Sequence, residues 1–473
     1  MKLALFAPEL FLLMGSLVLF FLTIGKDKAR QSRNAVIGIA LINVLVCLFS
    51  FRAEGNLFYD AYRVDLFSQI FKLMISGGFL AVLLLGRQLK GVSEDVRPEY
   101  YLFMLLSTLG LVFLVSSVEL LSIFIALELS SFSLYLLVPM RDDRHGLRYQ
   151  MESAIKYILF GVVATGVMLF GMSYLFGLTG TTYLNQLLPK LHAIATQPAA
   201  MIGIAMVMGG FFFKLAVFPF HFWVPDVYEG ASNETTAFIA SVPKLGAVAL
   251  LIRVTMLVAP QGQAVVALLT ILAVCSMFYG NLIALVQKDI KRMLGFSGIA
   301  HAGFVLLGLV TLKDTGYAAS MFYIIGYLVM IIACFVVICT VSKEGENVTI
   351  DDLSGLHKRA PLLALTLGVS MFALAGIPPF VGFMGKFILL TGALREGHLA
   401  LVILAALNTA IAIYYYLSVV RITFCADPEN RPLVKVDMLT GIVSVVLMVI
   451  IIAMGVAPAG IIDLATSAVS AIL

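Results

Sequence analysis

Long apolar stretches recur along this chain and are separated by short polar segments. About 20 apolar residues cross a bilayer, so fourteen of these stretches predict membrane-spanning helices. The second and fourth are short, which makes the predicted number fourteen give or take one. They lie near residues 3–24, 36–51, 66–85, 100–116, 118–138, 154–177, 200–220, 236–258, 264–286, 293–311, 317–341, 362–391, 399–424 and 437–457.

The first stretch predicts a retained helix. It starts after Lys2, but it is too long for a signal peptide, lacks a small-residue cleavage site and ends in a basic cluster. Composition agrees with the helix count: of 473 residues, 61% are hydrophobic and 12% charged, and the mean hydropathy is +1.04. These values exclude a soluble globular domain and predict an all-α polytopic membrane protein.

Basic residues concentrate in alternate loops, which predicts the orientation of the helices. Cytoplasmic loops carry an excess of Lys and Arg. The odd-numbered loops hold Lys26, Lys28, Arg30, Arg33, Arg87, Lys90, Arg97, Arg141, Arg144, Arg148, Lys288, Lys291, Arg292, Lys343, Lys358, Arg359, Arg431 and Lys435. The even-numbered loops hold only Arg52, Arg63, Lys190, Lys313 and Arg395. We therefore expect cytoplasmic odd loops and both termini on the outer, periplasmic face of a bacterial inner membrane.

The net charge of +4 follows from this loop bias and does not indicate nucleic-acid binding. The five cysteines, Cys47, Cys275, Cys334, Cys339 and Cys425, show no metal-ligand spacing, and we expect them to pack in the core. The sequence also lacks a glycine-rich dinucleotide motif, a phosphate loop and a Ser/His/Asp set. We therefore expect no redox or hydrolytic chemistry, bound cofactor or metal in this chain.

Three lysines lie inside apolar stretches: Lys214, Lys244 and Lys386. A charged side chain at the bilayer centre costs roughly 2.5–3.5 kcal/mol on insertion scales, so such residues are ion-pathway candidates by default. The alternative is that each lysine extends its ammonium to the headgroups, which suits residues near helix ends. These three lie about halfway along their helices, so we favour an ion pathway.

Two of the predicted helices are interrupted by proline. Pro219 and Pro225 break the seventh, and Pro378 and Pro379 break the twelfth. Prolines free backbone carbonyls, which is tolerable at membrane depth only where protein or water satisfies them. Each broken helix carries a lysine, and the two helices run in opposite directions, a pattern typical of transporters with inverted repeats.

We therefore predict two inverted five-helix repeats, helices 4–8 and 9–13. The predicted units are helices 1–3 in residues 1–98, the first repeat in 99–258, the second in 259–424, and helix 14 in 425–473.

Other ionisable groups extend the line of lysines. Glu128 lies midway along helix five, and a buried cation, with Lys214 the natural partner, would hold it most easily. His301, midway along helix ten, is either a relay group or a core histidine bonded to a neighbour. Lys156 and Lys72 lie nearer helix ends, so relay and headgroup contact both remain open. Arg253 and Arg421 are predicted interfacial anchors, being close to helix ends.

The chemistry that these groups support is proton movement. Burial lowers the affinity of a lysine for its proton, and a neighbouring carboxylate raises it, so a lysine between such states takes up and releases protons. No cluster of carboxylates and carbonyls resembles a sodium cage, which favours protons without excluding sodium.

The chain resembles the antiporter-like subunits found in the membrane arm of respiratory complex I and in multisubunit sodium/proton antiporters. The matching segments are ELSSFSLYLL in helix five, FFFKLAVFPFHFWVPDVYEGA at helix seven, KDIKRMLGFSGIAHAGF at helix ten and LSGLHKRAPLLA before helix twelve. The stretch DVYEGA favours the complex I branch. There are two departures: Ser232 stands where the family usually has proline, and Pro243 directly precedes Lys244.

The resemblance implies that Glu128 and Lys214 form an ion pair, that Lys244 is the central relay and that Lys386 is the terminal lysine. Lys156 and His301, found from their positions in the helices, are secondary relay candidates. It implies a subunit of NADH:quinone oxidoreductase, a proton-pumping translocase. Partner subunits would include an antiporter-like subunit M and small K/J-type subunits; NADH, FMN, iron–sulfur clusters and quinone would lie in other subunits. The alternatives are a subunit of a sodium/proton antiporter and a structural membrane anchor.

Overall fold

A computed structural model describes residues 2–25, 29–85, 89–142, 149–194, 197–258, 262–428 and 431–472. Five basic residues used to predict the orientation, Lys26, Lys28, Arg87, Arg144 and Arg148, lie outside these ranges. The helices are α1 (Lys2–Leu5), α2 (Ala7–Thr23), α3 (Ala29–Phe49), α4 (Leu66–Leu85), α5 (Arg97–Ser116), α6 (Leu120–Leu137), α7 (Tyr149–Thr179), α8 (Leu184–Ala193), α9 (Pro198–Leu215), α10 (Trp223–Gly230), α11 (Asn233–Val258), α12 (Gln263–Ala284), α13 (Ile290–Val310), α14 (Asp314–Val341), α15 (Leu356–Arg359), α16 (Pro361–Ala375), α17 (Val381–Arg395), α18 (Leu399–Cys425), α19 (Met438–Val456) and α20 (Ala459–Ser470).

Every predicted membrane-spanning stretch corresponds to one helix or to a broken pair of helices. In the described ranges, 12 helices are long and apolar enough to cross a membrane. The shorter α2 and the broken pair α16–α17 complete the fourteen. The predicted all-α, polytopic fold class is confirmed.

The most buried helices lie at the centre of the chain's fold. In the most apolar part of each helix, all residues of α11 and α13 and 94% of those of α14 are buried. In α3, α7, α18 and α19 only 33% of these residues are buried. Because a helix shielded by protein on all sides can hold polar groups away from lipid, α11, α13 and α14 are where ionisable residues are most easily accommodated.

Both predicted helix breaks are present, with one correction. Helix α9 ends at Leu215 and is followed by Ala216 in the left-handed conformation, and α10 begins at Trp223. Pro225, predicted as a second break, instead lies in the first turn of α10, where a missing N–H leaves no hydrogen bond unmade. Helix α16 ends at Ala375 and is followed by Gly376 in the same left-handed conformation, before α17. Each break contains a cis bond before a proline, Pro219 or Pro379.

Several short elements of the described residues were not predicted from the apolar pattern, among them helix α8, helix α20 and a β-hairpin. Helix α8 lies between α7 and α9, and α20 follows α19 and packs against α4 and α14. Strands β1 (Gly55–Leu57) and β2 (Tyr62–Val64) form an antiparallel hairpin before α4. These short elements lie at the ends of the long helices, so length-based detection of membrane spans passes over them.

A buried ion pair holds the first and third membrane helices together. Lys72 Nζ on α4 lies 2.7 Å from Glu9 Oε1 on α2, and both side chains are 0% exposed. The Tyr62 hydroxyl donates a hydrogen bond of 2.6 Å to the same carboxylate oxygen. Lys72 is therefore paired inside the protein. Of the two alternatives left open for it, contact with the lipid headgroups does not occur.

A second buried pair connects α4 to α11 and corrects the prediction for Arg253. The Arg253 guanidinium donates to both carboxylate oxygens of Asp65, each at 2.9 Å, and its side chain is 4% exposed. Arg253 is not an interfacial anchor, because a partner carboxylate 188 positions away in the sequence neutralises it inside the protein. Asp65 also caps α4 by accepting a hydrogen bond from the Ser68 N–H.

Candidate functional site

Lys386 lies at the break between α16 and α17. Its Nζ donates hydrogen bonds of 3.0 Å to the carbonyl oxygens of Leu374 and Ala375, at the carboxyl end of α16. These are carbonyls that a helix leaves without intrahelical partners, and that end carries the negative pole of the helix dipole. An ammonium here is stabilised by the break itself. A Cβ on Gly376 would lie 2.9 Å from Lys386 Cδ, so glycine leaves room for the lysine.

Lys244 lies on α11, where it is 2% exposed. Its ammonium contacts the Tyr327 hydroxyl of α14 at 3.2 Å and the Gly298 carbonyl oxygen of α13 at 3.4 Å. A Cβ on Gly298 would lie 2.7 Å from that Nζ and 2.9 Å from the hydroxyl, so only glycine permits this approach. No carboxylate of the described residues pairs with Lys244 or Lys386, so no fixed negative charge holds either lysine in its charged form.

His301 connects the surroundings of these two lysines. Its Nδ1 lies 2.6 Å from the Tyr323 hydroxyl and its Nε2 lies 3.0 Å from the Tyr416 hydroxyl. The ring lies beside that of Tyr327, with centroids 5.0 Å apart and planes tilted by 49°, and the histidine interacts electrostatically with both Lys244 and Lys386. His301 is therefore a buried, hydrogen-bonded histidine, and its partners are hydroxyls that can both donate and accept protons.

Glu128 and Lys214 occupy the same region but have separate immediate partners. Glu128 Oε1 accepts a hydrogen bond of 2.9 Å from Thr165 of α7. Lys214 Nζ lies 3.4 Å from the Tyr135 hydroxyl and over the ring of Phe213. The two charges interact electrostatically. They are not among the ion pairs formed by the described residues. The structure thus brings the predicted pair within electrostatic range, but each charge has a neutral hydrogen-bond partner of its own.

A small cavity lies between Lys214 and the segment that precedes Lys244. Its volume is about 20 Å³, and its lining includes Lys214, Ser130, Ile239 and Pro243. About 10–15 Å³ suffices for one water molecule. Proline at position 243 has no N–H, so the Ile239 carbonyl four residues earlier loses its helical partner at this cavity. Pro243, unexplained by the sequence, therefore adds an acceptor beside the cavity.

Lys156, on α7, belongs to an ion network that includes Asp226 in the first turn of α10. It contacts Glu152 at 2.7 Å and Asp226 at 2.8 Å, and its side chain is 39% exposed. Asp226 also pairs with Arg292 at 3.0 Å. Burial raises the pKa of Asp226, but the hydrogen bonds from Lys156 and Arg292 outweigh it and hold that pKa below its usual value. Because each charge in this half-exposed network has an opposite partner, Lys156 and Asp226 stay ionised.

Sequence reasoning missed the tyrosines. Tyr323 and Tyr327 lie four residues apart on α14, so their side chains project from one face of the most hydrophobic of the candidate spans. Two tyrosines at helical spacing in so apolar a span could have indicated a polar site, since buried tyrosine hydroxyls generally require hydrogen-bond partners. No comparable spacing in the sequence marks Tyr135 or Tyr416.

Comparison with known proteins gives consistent results. Residues 117–412 match the family model described as NADH:quinone oxidoreductase/Mrp antiporter, TM. A protein of Opitutus terrae called NADH-quinone oxidoreductase subunit N 2 is 53% identical over 468 residues, covering 99% of this chain and 98% of its own length. A protein of the same name from Syntrophobacter fumaroxidans is 43% identical, covering 99% of each chain.

Solved structures show the same fold. A chain of respiratory complex I from Thermus thermophilus with bound aureothin superposes with a TM-score of 0.85 at 31% identity, covering 97% of this chain and 99% of that one. A chain of the Mrp complex from Dietzia sp. superposes with a TM-score of 0.88 at 20% identity, covering 99% and 97%. The second likeness concerns the fold alone. The resemblance stated from sequence motifs is confirmed.

Proposed function

Because this chain belongs to the subunit N family of the NADH-quinone oxidoreductases, we propose that its buried lysines carry protons across the membrane in that complex. Membership places the chain in the membrane as a multi-pass subunit among other membrane subunits. The observation that carries the proposal is the unpaired state of Lys244 and Lys386 among the described residues: each ammonium rests on carbonyls or hydroxyls that tolerate its deprotonation.

The first half of the proposed path consists of Glu128, Lys214 and the small cavity lined by Lys214 and Pro243. A neutral Lys214 accepts a proton, and its proximity to Glu128 favours the charged form. A water molecule in the cavity, accepting a hydrogen bond from the Lys214 ammonium and donating one to the Ile239 carbonyl oxygen, then bridges toward α11.

The second half runs from Lys244 through hydroxyl and imidazole groups to Lys386. Tyr327 contacts Lys244, and His301 lies between Tyr323 and Tyr416. Each of these groups can accept one proton while donating another, so a proton moves without displacement of the side chains. Lys386 ends the path at the break between α16 and α17. Lys156 is left out of this path, since its carboxylate partners keep it charged.

Electron transfer from NADH to quinone in partner subunits would drive these protonation changes. We infer that this chain binds none of NADH, FMN, iron–sulfur clusters or quinone. The sodium/proton antiporter alternative is not favoured, because the Mrp chain shares the fold at only 20% identity whereas subunit N proteins reach 53%.

We further propose that helices α5 to α11 and α12 to α18 are inverted repeats, and that both termini face the outer side of a bacterial inner membrane. The similar ends of α9 and α16 support the first proposal, and the basic residues of the odd loops support the second. A reporter active only in the cytoplasm, fused at the carboxyl terminus, should stay silent; a strong signal would reverse the orientation.

The substitution Lys244→Met tests the central assignment. Methionine keeps the bulk of the side chain and removes the proton-carrying group. In the assembled complex we expect quinone-linked NADH oxidation and proton pumping to fall together by about ten-fold or more, because a positioned proton-transfer group contributes at least that much. NADH oxidation with an artificial acceptor, which bypasses the membrane subunits, should stay near wild type. Unchanged pumping by Lys244→Met would remove Lys244 from the path.

A further inference from the structure

Two cations converge on the carboxyl end of α10. Arg141 donates hydrogen bonds to the carbonyl oxygens of Glu229, Gly230 and Ala231, at 2.8, 3.2 and 3.3 Å. Lys291 Nζ donates to the Ala231 carbonyl at 2.8 Å, and Lys291 is fully buried. The negative pole of a helix dipole stabilises cations at this position. Lys291, which was counted from the sequence among the loop charges, is therefore held inside the protein, next to the start of α11.

A buried carboxylate, Glu234, faces these cations from the first turn of α11. It is 6% exposed, and its Oε2 has no hydrogen-bond partner among the described residues. The charged and titratable groups that interact with it come from five other segments of the chain: Lys90, Tyr100, Tyr101, Arg141, Lys291 and Cys339.

Helix-dipole stabilisation alone does not explain this carboxylate. An acidic residue in the first turn stabilises a helix equally well when it is exposed to solvent, and burial adds a desolvation penalty. A buried carboxylate with an open acceptor atom is instead suited to taking up a proton. The surrounding cations stabilise its charged form, whereas burial favours the protonated form.

A line of groups leads from this carboxylate towards Lys244. Lys291 and Gly298 lie seven residues apart on one face of α13, about 10 Å along the axis. Between them, at Gly295, α13 has no side chain, and a Cβ there would lie 3.3 Å from the Tyr228 ring. The Tyr228 hydroxyl is fully buried, lacks a partner among the described residues and interacts with Tyr327.

We propose that Glu234 is the proton-loading site for Lys244, with the Tyr228 hydroxyl as the intermediate group. This inference rests on the proposed role of Lys244 as a relay. A hydronium ion at the face of the basic loops gives its proton to the Glu234 carboxylate and becomes water. The carboxylic acid then donates that proton inward, Tyr228 and Tyr327 each accept one proton as they release another, and neutral Lys244 becomes an ammonium. Water closes the gaps between these groups.

The test uses the intact complex reconstituted in lipid vesicles, with quinone-linked NADH oxidation and proton pumping measured from about pH 6 to about pH 8. Glu234→Gln should lower both rates by about ten-fold, because a positioned proton-transfer group is lost. The loss should deepen as the pH rises, since protons become scarce and the loading site is missing. Glu234→Asp, which keeps the carboxylate, should recover part of the rate.

Tyr228→Phe provides a variant that should fold normally, because the hydroxyl it removes has no partner among the described residues. It should lower both rates while leaving NADH oxidation with an artificial acceptor unchanged. The matched control is Asp314→Asn, which removes a first-turn carboxylate from α14, outside the proposed path. That control should pump normally.

Wild-type rates in Glu234→Gln at every pH would overturn the inference, and so would a loss that is equal at every pH and not relieved by aspartate. Wild-type pumping by Tyr228→Phe would overturn the intermediate role of that hydroxyl. The two proposals fail separately. An impaired Lys244→Met with a normal Glu234→Gln rejects only the loading site, whereas a normal Lys244→Met rejects the path that the loading site would supply.

Discussion

Helices α9 and α16 both end in a left-handed residue within the membrane, but their lysines lie on opposite sides of the break. Lys214 precedes Ala216 by two residues, whereas Lys386 follows Gly376 by ten and reaches back to the end of α16. At the first break, the Trp223 indole N–H donates to the Phe213 carbonyl at 3.1 Å. At the second, the lysine itself donates to the free carbonyls.

The two breaks therefore differ in how they depend on the protonation of their lysines. A tryptophan N–H never titrates in water, so the Phe213 carbonyl keeps this donor whatever the charge of Lys214. At the second break, loss of the proton from Lys386 leaves a neutral amine, which donates more weakly to two carbonyls. Protonation is therefore coupled to helix capping in α16–α17 and independent of it in α9–α10.

The largest effect that tests this comparison is expected from Lys386→Met. It removes both the titrating group and the cap, leaving two buried carbonyls at a cost of about 1–3 kcal/mol each. Pumping and quinone-linked NADH oxidation should fall by about ten-fold or more. Lys386→Arg is the sharper control, because guanidinium can still cap the carbonyls but does not release its proton. A normally pumping arginine variant would show that only a fixed charge is needed here.

A smaller effect is expected at the first break, from Glu128→Gln and Lys214→Met. The two charges interact without an ion pair, so each variant should impair pumping, and the double variant should lose less than the sum of the two losses. Thermal stability of the purified complex should change little in Lys214→Met, since Trp223 still donates to the Phe213 carbonyl. Additive losses in pumping would show that Glu128 and Lys214 act independently.

The smallest effects concern the left-handed residues themselves. Ala216 has φ 67°, a conformation that costs a non-glycine residue roughly 1–2 kcal/mol, so Ala216→Gly should stabilise the protein by about 0.5–1 kcal/mol. Gly376→Ala should destabilise it by at least as much, since φ is 86° and the new Cβ would press on Lys386. Thermal unfolding of the purified complex measures both. Equal shifts in one direction would contradict the assigned conformations.

The sequence predicted the parts of this structure that depend on local pattern. Apolar length located the membrane helices, and prolines located both breaks, because each signal lies within the segment that it shapes. The three lysines were found in the same way, since a charge in an apolar stretch is visible without its surroundings.

The partners of those charges were not predictable from local pattern. Arg253 was interpreted from its place near a helix end, whereas its carboxylate lies in a different segment. The direct ion pair expected between Glu128 and Lys214 depends on side-chain positions that no spacing encodes. The hydroxyls of Tyr323 and Tyr416 around His301 come from helices that only the folded chain brings together.

The buried pair of Glu9 and Lys72 has a consequence for how the protein enters the membrane. Helix α2 is synthesised first, and Glu9 then has no cation until α4 emerges some sixty residues later. An isolated carboxylate or ammonium in lipid is penalised by roughly 2.5–3.5 kcal/mol. We therefore expect α2 to remain beside the insertion machinery until α4 arrives, so that the first three membrane helices are released into the bilayer as one unit.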